Sequence, residues 1–132
     1  MKYLLDTCVI SDFVKGNKTT LEKVKSNLPT DLAISAITVM ELKYGLYLNQ
    51  QRAKKIAPIV NSLINSIIVL PYLAESADKT ALIRAKLKIK GTPIGPYDIM
   101  IAGTALEHQL IMVTANNKEF SRVNDLIIEN WQ

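Results

Sequence analysis

Cysteine and histidine each occur once in this 132-residue chain, as Cys8 and His108, and both shortages exclude whole classes of chemistry. One thiol forms neither an internal disulfide nor a cysteine-based zinc cluster, which points to a reducing compartment and so to the cytoplasm. One imidazole does not supply an acid and a base together, and a Ser/His/Asp site would rest wholly on His108, in a helix tail with no nucleophile elbow. No P-loop or G-x-G-x-x-G follows the first apolar strand, so cradling of a nucleotide by backbone amides has little support. Long apolar runs are missing too. The most apolar one, Leu63 to Leu70, is interrupted by Asn65 and Ser66, and the opening MKYLLD reaches a charge without a signal-peptide core. No membrane role is expected. Repeats, low-complexity tracts and linkers are also lacking, which leaves residues 1–132 as a single domain.

What is present begins with charge. Sixteen Lys and Arg against twelve Asp and Glu give a formal net charge of +4, which suits a polyanionic partner and equally suits ordinary solvated lysines. A chain of this length buries roughly two-thirds of its unfolded surface and needs no staple to fold.

Strand and helix patterns alternate along it. Lys2–Leu5 reads as a short buried strand ending on Asp6 and Thr7, followed by Val9, Ile10, Phe13 and Val14 at helical spacing. Leu21–Leu28 is a small helix stopped by Pro29, and Asp31–Ser35 a second strand. Thr38 and Glu41 then stand three apart, the spacing of a capping box, which gives Glu41 a purely structural role to set against any chemical one. Gln50–Asn65 reads as a helix that tolerates Pro58 only near an end or as a kink. Ile67–Leu70 is a third strand, and Leu73–Lys90 a long helix with Ala77, Ala81, Leu82 and Ala85 on one face. Leu110–Thr114 is a fourth strand followed by Asn116 and Asn117, and Asp125–Ile128 offers a short fifth. The pattern predicts an α/β fold: a three-layer α/β/α sandwich around a mostly parallel sheet of four to five strands.

The segment Gly91–Gly103, GTPIGPYDIMIAG, has the most unusual composition. Pro93 and Pro96 end the preceding helix, and a rigid loop delivers Asp98 to the opening of an apolar helix. Locally, Asp98 could serve only to complement the helix dipole, worth about 0.3–1 kcal/mol. Topology suggests more. In a parallel sheet the strand-to-helix junctions share the carboxyl edge, which gathers Asp6, Glu41 and Asn116. Asp98 joins them only if the two-helix connection returns its N-terminus to that edge. Three carboxylates about 5 Å apart would repel by roughly 3 kcal/mol per pair at an effective dielectric near 20. That rivals a domain's whole stability of about 5–15 kcal/mol, so a divalent cation or a proton must offset it. All-oxygen ligands with an amide nearby suit Mg²⁺ or Mn²⁺ rather than zinc. Metal-assisted phosphoryl transfer is the chemistry that remains.

The strings LLDT, Met40–Glu41, PIGPYDIMIA, VTANNKEFSRV and the closing ENW resemble the PIN-domain ribonucleases, most closely the VapC toxins of bacterial toxin–antitoxin pairs. The likeness runs almost end to end. It implies a PIN-like fold and a Mg²⁺- or Mn²⁺-dependent endoribonuclease, homodimeric and inhibited by a VapB-like antitoxin whose tail covers the site. Asp6, Glu41 and Asp98 match the family's metal-binding acids, Thr7 the hydroxyl beside the first, and Asn116 the fourth acidic or amide position. Initiator tRNA is a substrate of close relatives, and other RNAs of more distant ones. Two departures stand out: Cys8 where VapC toxins often have Asn, expected to affect packing around Thr7 rather than the acids, and Asn116 in place of Asp. Glu119 is a further candidate beside Asn116.

These expectations assign metal ligation to Asp6 and Asp98, ligation or water steering to Glu41, orientation of water or a second ion to Asn116, and support of Asp6 to Thr7. Lys86, Lys88, Lys90, Lys118 and Arg122 are weaker candidates for RNA phosphate contacts. Two alternatives remain, a non-catalytic RNA- or protein-binding module in which the acids are caps, and a metal-dependent DNA nuclease. Leu42, Tyr44, Leu46, Tyr47 and Leu48 exceed what one helix face needs, so they serve either a subunit interface or core packing.

Overall fold

The structure, a computed structural model, describes residues 1–132. Five short strands form one sheet in the order β3-β2-β1-β4-β5, every pairing parallel: β1 (Tyr3–Leu5), β2 (Leu32–Ser35), β3 (Ile68–Leu70), β4 (Ile111–Val113) and β5 (Ile128–Glu129). Between β1 and β2 run α1 (Thr7–Lys15) and α2 (Lys18–Ser26), and between β2 and β3 run α3 (Ala36–Leu48) and α4 (Gln50–Ser66). The third crossover holds α5 (Ala74–Lys90) and α6 (Pro96–Glu107), and the last the single turn α7 (Asn117–Phe120).

Alternation along the strands divides the core into two layers, as period-two geometry requires. Leu4, Ala33 and Met112 face α5 and α6, packing with Ile83, Leu87, Ile101 and Phe120. Tyr3, Leu5, Leu32, Ile34 and Val113 face the other way, onto Val9 and Ile10 of α1, Val24 of α2 and Leu63 of α4. Trp131 closes that second layer, edge-on to Tyr3 with ring centroids 4.9 Å apart. The three-layer sandwich is therefore as expected, with all five strands parallel.

Local expectations fared less evenly. The capping box does not form: α3 begins earlier, with Ser35 as N-cap accepting from the Ile37 N–H at 3.0 Å, so Thr38 and Glu41 already lie inside the helix. The carboxylate is thus released from a capping role. Pro58 sits in the interior of α4, not near an end. The packing face of α5 is Ser76, Ile83 and Leu87, whereas Ala77, Ala81, Leu82 and Ala85 are exposed. The cause is a close approach of backbones. At Gly103 in α6 an added Cβ would overlap Thr80 Oγ1 and stand 3.1 Å from the Thr80 nitrogen and 3.2 Å from the Ser76 carbonyl, so small and polar positions set the contact. The last strand starts at Ile128 because Asp125 takes a left-handed turn conformation, φ 66°, just before it.

The pair α5–α6 is the connection that matters for the site. Ser76 at the start of α5 donates to Glu107 Oε1 at the end of α6 over 2.6 Å, so the two helices run antiparallel. The amide N–H groups of Gly91 and Thr92 bond back to Lys88 and Leu87 carbonyls, ending α5, and Gly91 takes the left-handed conformation, φ 70°, that a helix C-terminus favours. Pro96 then opens α6 at its first position, where the missing donor costs nothing.

Candidate metal-binding active site

Asp6 caps α1 immediately after β1. Its carboxylate is only 5% exposed and is held by three donors: the Thr7 N–H to Oδ1 at 2.8 Å, Thr114 Oγ1 to Oδ2 at 2.9 Å, and the Cys8 thiol to Oδ2 at 3.4 Å. The donors come from both strand ends that meet here, since the Asp6 N–H itself bonds the Val113 carbonyl at 2.9 Å. Glu41, one turn into α3, reaches the same edge. Thr7 Oγ1 donates to Glu41 Oε1 at 2.7 Å and lies 3.3 Å from Thr38 Oγ1, so one hydroxyl ties the first helix to the second acid.

Asp98 lies in the first turn of α6, with its side chain folded back over Gly95. A Cβ at Gly95 would stand 3.1 Å from Asp98 Oδ2 and 3.7 Å from Cγ. The glycine is required by space, not by its backbone angle. Burial pushes the Asp98 carboxyl up, and the negative charges of Asp6, Glu119 and Glu41 push it further, from 3.8 to about 6. The charges of Asp6, Glu119 and Glu41 thus lie near enough to Asp98 to raise the cost of ionising it. Asn116, just past β4, donates its Nδ2 to Glu119 Oε2 at 3.1 Å, while its backbone N–H bonds Thr114 Oγ1 at 3.0 Å.

No three His, Cys, Asp or Glu side chains stand close enough to ligate one ion directly. The donors are nevertheless all oxygen and strongly negative in sum, the chemistry of a hard cation that keeps part of its water shell, as Mg²⁺ does. His108 lies apart from them at the C-terminus of α6, where Nε2 meets Glu107 at 3.5 Å.

Several participants escaped the reading of the sequence. Thr114 and Thr38 are fully buried polar side chains at the site. Only the position of Thr114 at the end of the fourth apolar run, two residues before Asn116, hinted at a role. Glu119, a secondary candidate by sequence, acts on Asp98 through its charge while the Asn116 amide turns to it. Cys8 touches the acids directly through Asp6 instead of merely packing near Thr7, and it also accepts from the Ala115 N–H at 3.4 Å. Burial first, then the Asp6 charge, push its thiol up to about 11.

The basic candidates separate. Lys86, Lys90 and Arg122 line one groove, along the flank of α5. Lys88 lines another, with Arg84, Tyr72 and Ile99. Lys118 lies on α7, beside Glu119.

Comparison with known proteins agrees with this geometry over nearly all of the chain. The PIN domain family matches residues 3–126. The chain is 41% identical to the tRNA(fMet)-specific endonuclease VapC of Salmonella typhimurium over 134 residues, covering 99% of this chain and 98% of that protein. It is 39% identical to the tRNA(fMet)-specific endonuclease VapC of Shigella flexneri over 132 residues, with the same coverage. Among solved structures it superposes on a chain of the DNA-bound VapBC crystal structure from Salmonella typhimurium with a TM-score of 0.92, at 38% identity, covering 100% of this chain and 99% of that one. With a carboxylate-lined edge on a five-stranded parallel sheet and likeness of this extent, the chain belongs to the PIN domain family, among its VapC members.

Proposed function

We propose that the protein is a metal-dependent endoribonuclease toxin that hydrolyses RNA phosphodiester bonds and is held inactive by a VapB-like antitoxin. The observation that carries the reading is the placement of Asp6, Glu41 and Asp98 at the sheet's carboxyl edge, where Thr7 bonds both Asp6 and Glu41 and the charges of Asp6, Glu119 and Glu41 act on Asp98. End-to-end likeness to tRNA(fMet)-specific endonucleases makes tRNA, initiator tRNA first, the substrate to try. The VapBC complexes among the structural neighbours support the antitoxin as partner.

Asp6 and Asp98 would hold the cation, Mg²⁺ or Mn²⁺, with Glu41 meeting it through a water of its shell. A cation bound there supplies Lewis acidity to the phosphodiester and lowers the pKa of a water. The protein's own groups do the rest. Thr7 and Thr114 fix Glu41 and Asp6, each by a hydroxyl donated to a carboxylate oxygen. Glu41 Oε1 is occupied by Thr7, so its other oxygen is the one left to take a proton from water or to meet the ion. Glu119 completes the acid set beside Asp98, and Asn116 orients it through Nδ2, leaving the amide oxygen for a water. Lys118 and Arg122, on the segment that follows β4, contact the RNA backbone.

Tyr44, Tyr47 and Leu48 are 61%, 78% and 68% exposed on α3, and they support assembly as a homodimer across that helix. No helix is long and apolar enough to cross a membrane.

The test is cleavage of tRNA and single-stranded RNA by wild type and Asp98→Asn, with Mg²⁺ or with EDTA, and with DNA of matching sequence alongside. RNA-specific, Mg²⁺-dependent cutting that Asp98→Asn loses is expected. Undiminished cutting by the variant would falsify the assignment, and equal cutting of DNA would redirect it.

A further inference from the structure

A second basic feature lies on the flank of α5, apart from the carboxylate ligands. Lys79, Leu82, Lys86 and Lys90 recur at steps of three, four and four, so they share one face of the helix. From Lys79 to Lys90 that face extends about 16 Å at the helical rise. It forms one wall of an open groove of about 340 Å³ whose other wall is the segment after α7, with Arg122 and Ile127. Leu82 and Ile127 are 53% and 65% exposed there. Lysine stems cover such apolar surface while keeping their ammonium groups at the rim.

The charges on this groove are not internally balanced. Four cations line it against one acid, Asp125, and no Lys or Arg of the chain stands within 4 Å of a carboxylate. Like charges kept together without counter-charges raise the free energy of the protein alone, and a polyanion relieves that cost.

Arg122 connects the groove to the carboxylate edge. Arg122 is one turn past Glu119, its backbone N–H bonding the Glu119 carbonyl at 3.1 Å. Its Nη1 donates to the Pro93 carbonyl at 3.2 Å, in the loop that delivers Asp98. Lys90 Nζ reaches Asn124 Oδ1 at 3.4 Å, which joins the two walls. A strand leaving the acids across α7 therefore meets Arg122 first, then Lys90, Lys86 and Lys79.

We infer that this groove is a phosphate-binding track for an RNA strand, whose successive phosphates would meet Arg122, Lys90, Lys86 and Lys79. Its occupant is RNA and not an acidic protein segment because the cations continue from the catalytic edge. The inference rests on the ribonuclease reading for the identity of the polyanion. The track would hold RNA by its backbone, without regard to sequence, and add affinity for substrates longer than the acid edge alone can grip.

The test compares a Lys79→Gln/Lys86→Gln/Lys90→Gln variant with Arg52→Gln/Lys54→Gln/Lys55→Gln, which removes the same charge from α4. Binding of a fluorescent, roughly 20-nucleotide single-stranded RNA is followed by anisotropy in EDTA across a salt series. The α5 variant should bind about tenfold more weakly at low salt, with the slope of log affinity on log salt reduced by about 2. The α4 variant should keep the wild-type slope, and both should melt as the wild type does. Equal slopes for all three proteins overturn the track, as does a weakened affinity for poly-glutamate with RNA binding unchanged, which assigns the groove to an acidic protein. Wild type that binds RNA with the predicted slope but does not cut it with Mg²⁺ overturns the ribonuclease reading and leaves the track standing.

Discussion

Replacing Asp98 by asparagine should stabilise the protein in the absence of divalent ions while abolishing its activity. In the folded chain the Asp98 carboxyl sits at about 6, against 3.8 when unperturbed, because it is desolvated and faces Asp6, Glu119 and Glu41. A folded-state pKa above the unfolded one means that the fold prefers the protonated acid. The resulting cost is fully present above pH 6 and fades as the pH falls from there to 3.8. A rise of that size corresponds to about 3 kcal/mol at 1.36 kcal/mol per pH unit, and screening at a half-buried group reduces it to about 1–2 kcal/mol. Asparagine keeps the shape and removes the charge. With an unfolding entropy of about 2.1 cal/mol/K per residue, the variant's Tm should rise by roughly 4–7 °C at pH 7.5 in EDTA. The difference should vanish near pH 4. Added Mg²⁺ should raise the wild-type Tm and leave the variant's unchanged, reversing the order. Buried Trp131 is the only tryptophan and reports unfolding by fluorescence. Equal melting temperatures at pH 7.5 in EDTA, or a difference that does not depend on pH, would refute the convergence of charge at Asp98.

Three further outcomes follow from the same contacts. Thr114→Val keeps the volume but strips the buried Asp6 carboxylate of a donor at 2.9 Å, which should cost about 1–3 kcal/mol in urea unfolding and raise the Mg²⁺ concentration needed for half-maximal cleavage. Gly95→Ala should displace Asp98, whose Oδ2 would lie 3.1 Å from the new methyl, so cleavage should fall at least tenfold with little change in stability; wild-type activity would count against the packing of Asp98 over Gly95. The Cys8 thiol, raised to about 11, should react far more slowly with Ellman's reagent at pH 7.5 than in guanidinium, accelerating only toward pH 10–11. Equally fast labelling in both states would show the thiol to be free of the Asp6 contact.

The alternation of apolar strands and amphipathic helices was sufficient to determine the parallel sandwich, because period-two and period-3.6 patterns are local and right-handed crossovers leave few topologies. It also sufficed to put Asp6, Glu41 and Asn116 at one edge, since chain direction in a parallel sheet carries every strand-to-helix junction there. The motif around Asp98 was legible for a different reason: two prolines restrict the backbone before any tertiary contact forms, and Gly91 permits the left-handed turn that ends α5. The helix limits that failed depended on neighbours. Ser35 displaced Thr38 as the cap of α3. The face of α5 was set by its close approach to Gly103, a glycine whose importance lies in what stands opposite it. Only tertiary structure brought Thr114 under Asp6, turned Asn116 toward Glu119, and divided the lysines of α5 between two grooves. Those outcomes join residues as many as 108 positions apart. Sequence determined which groups were available and at which edge of the sheet, by periodicity and chain direction. Packing between distant segments decided which of those groups touch, because a side chain's partner depends on the rotation and spacing of whole helices, which no local pattern encodes.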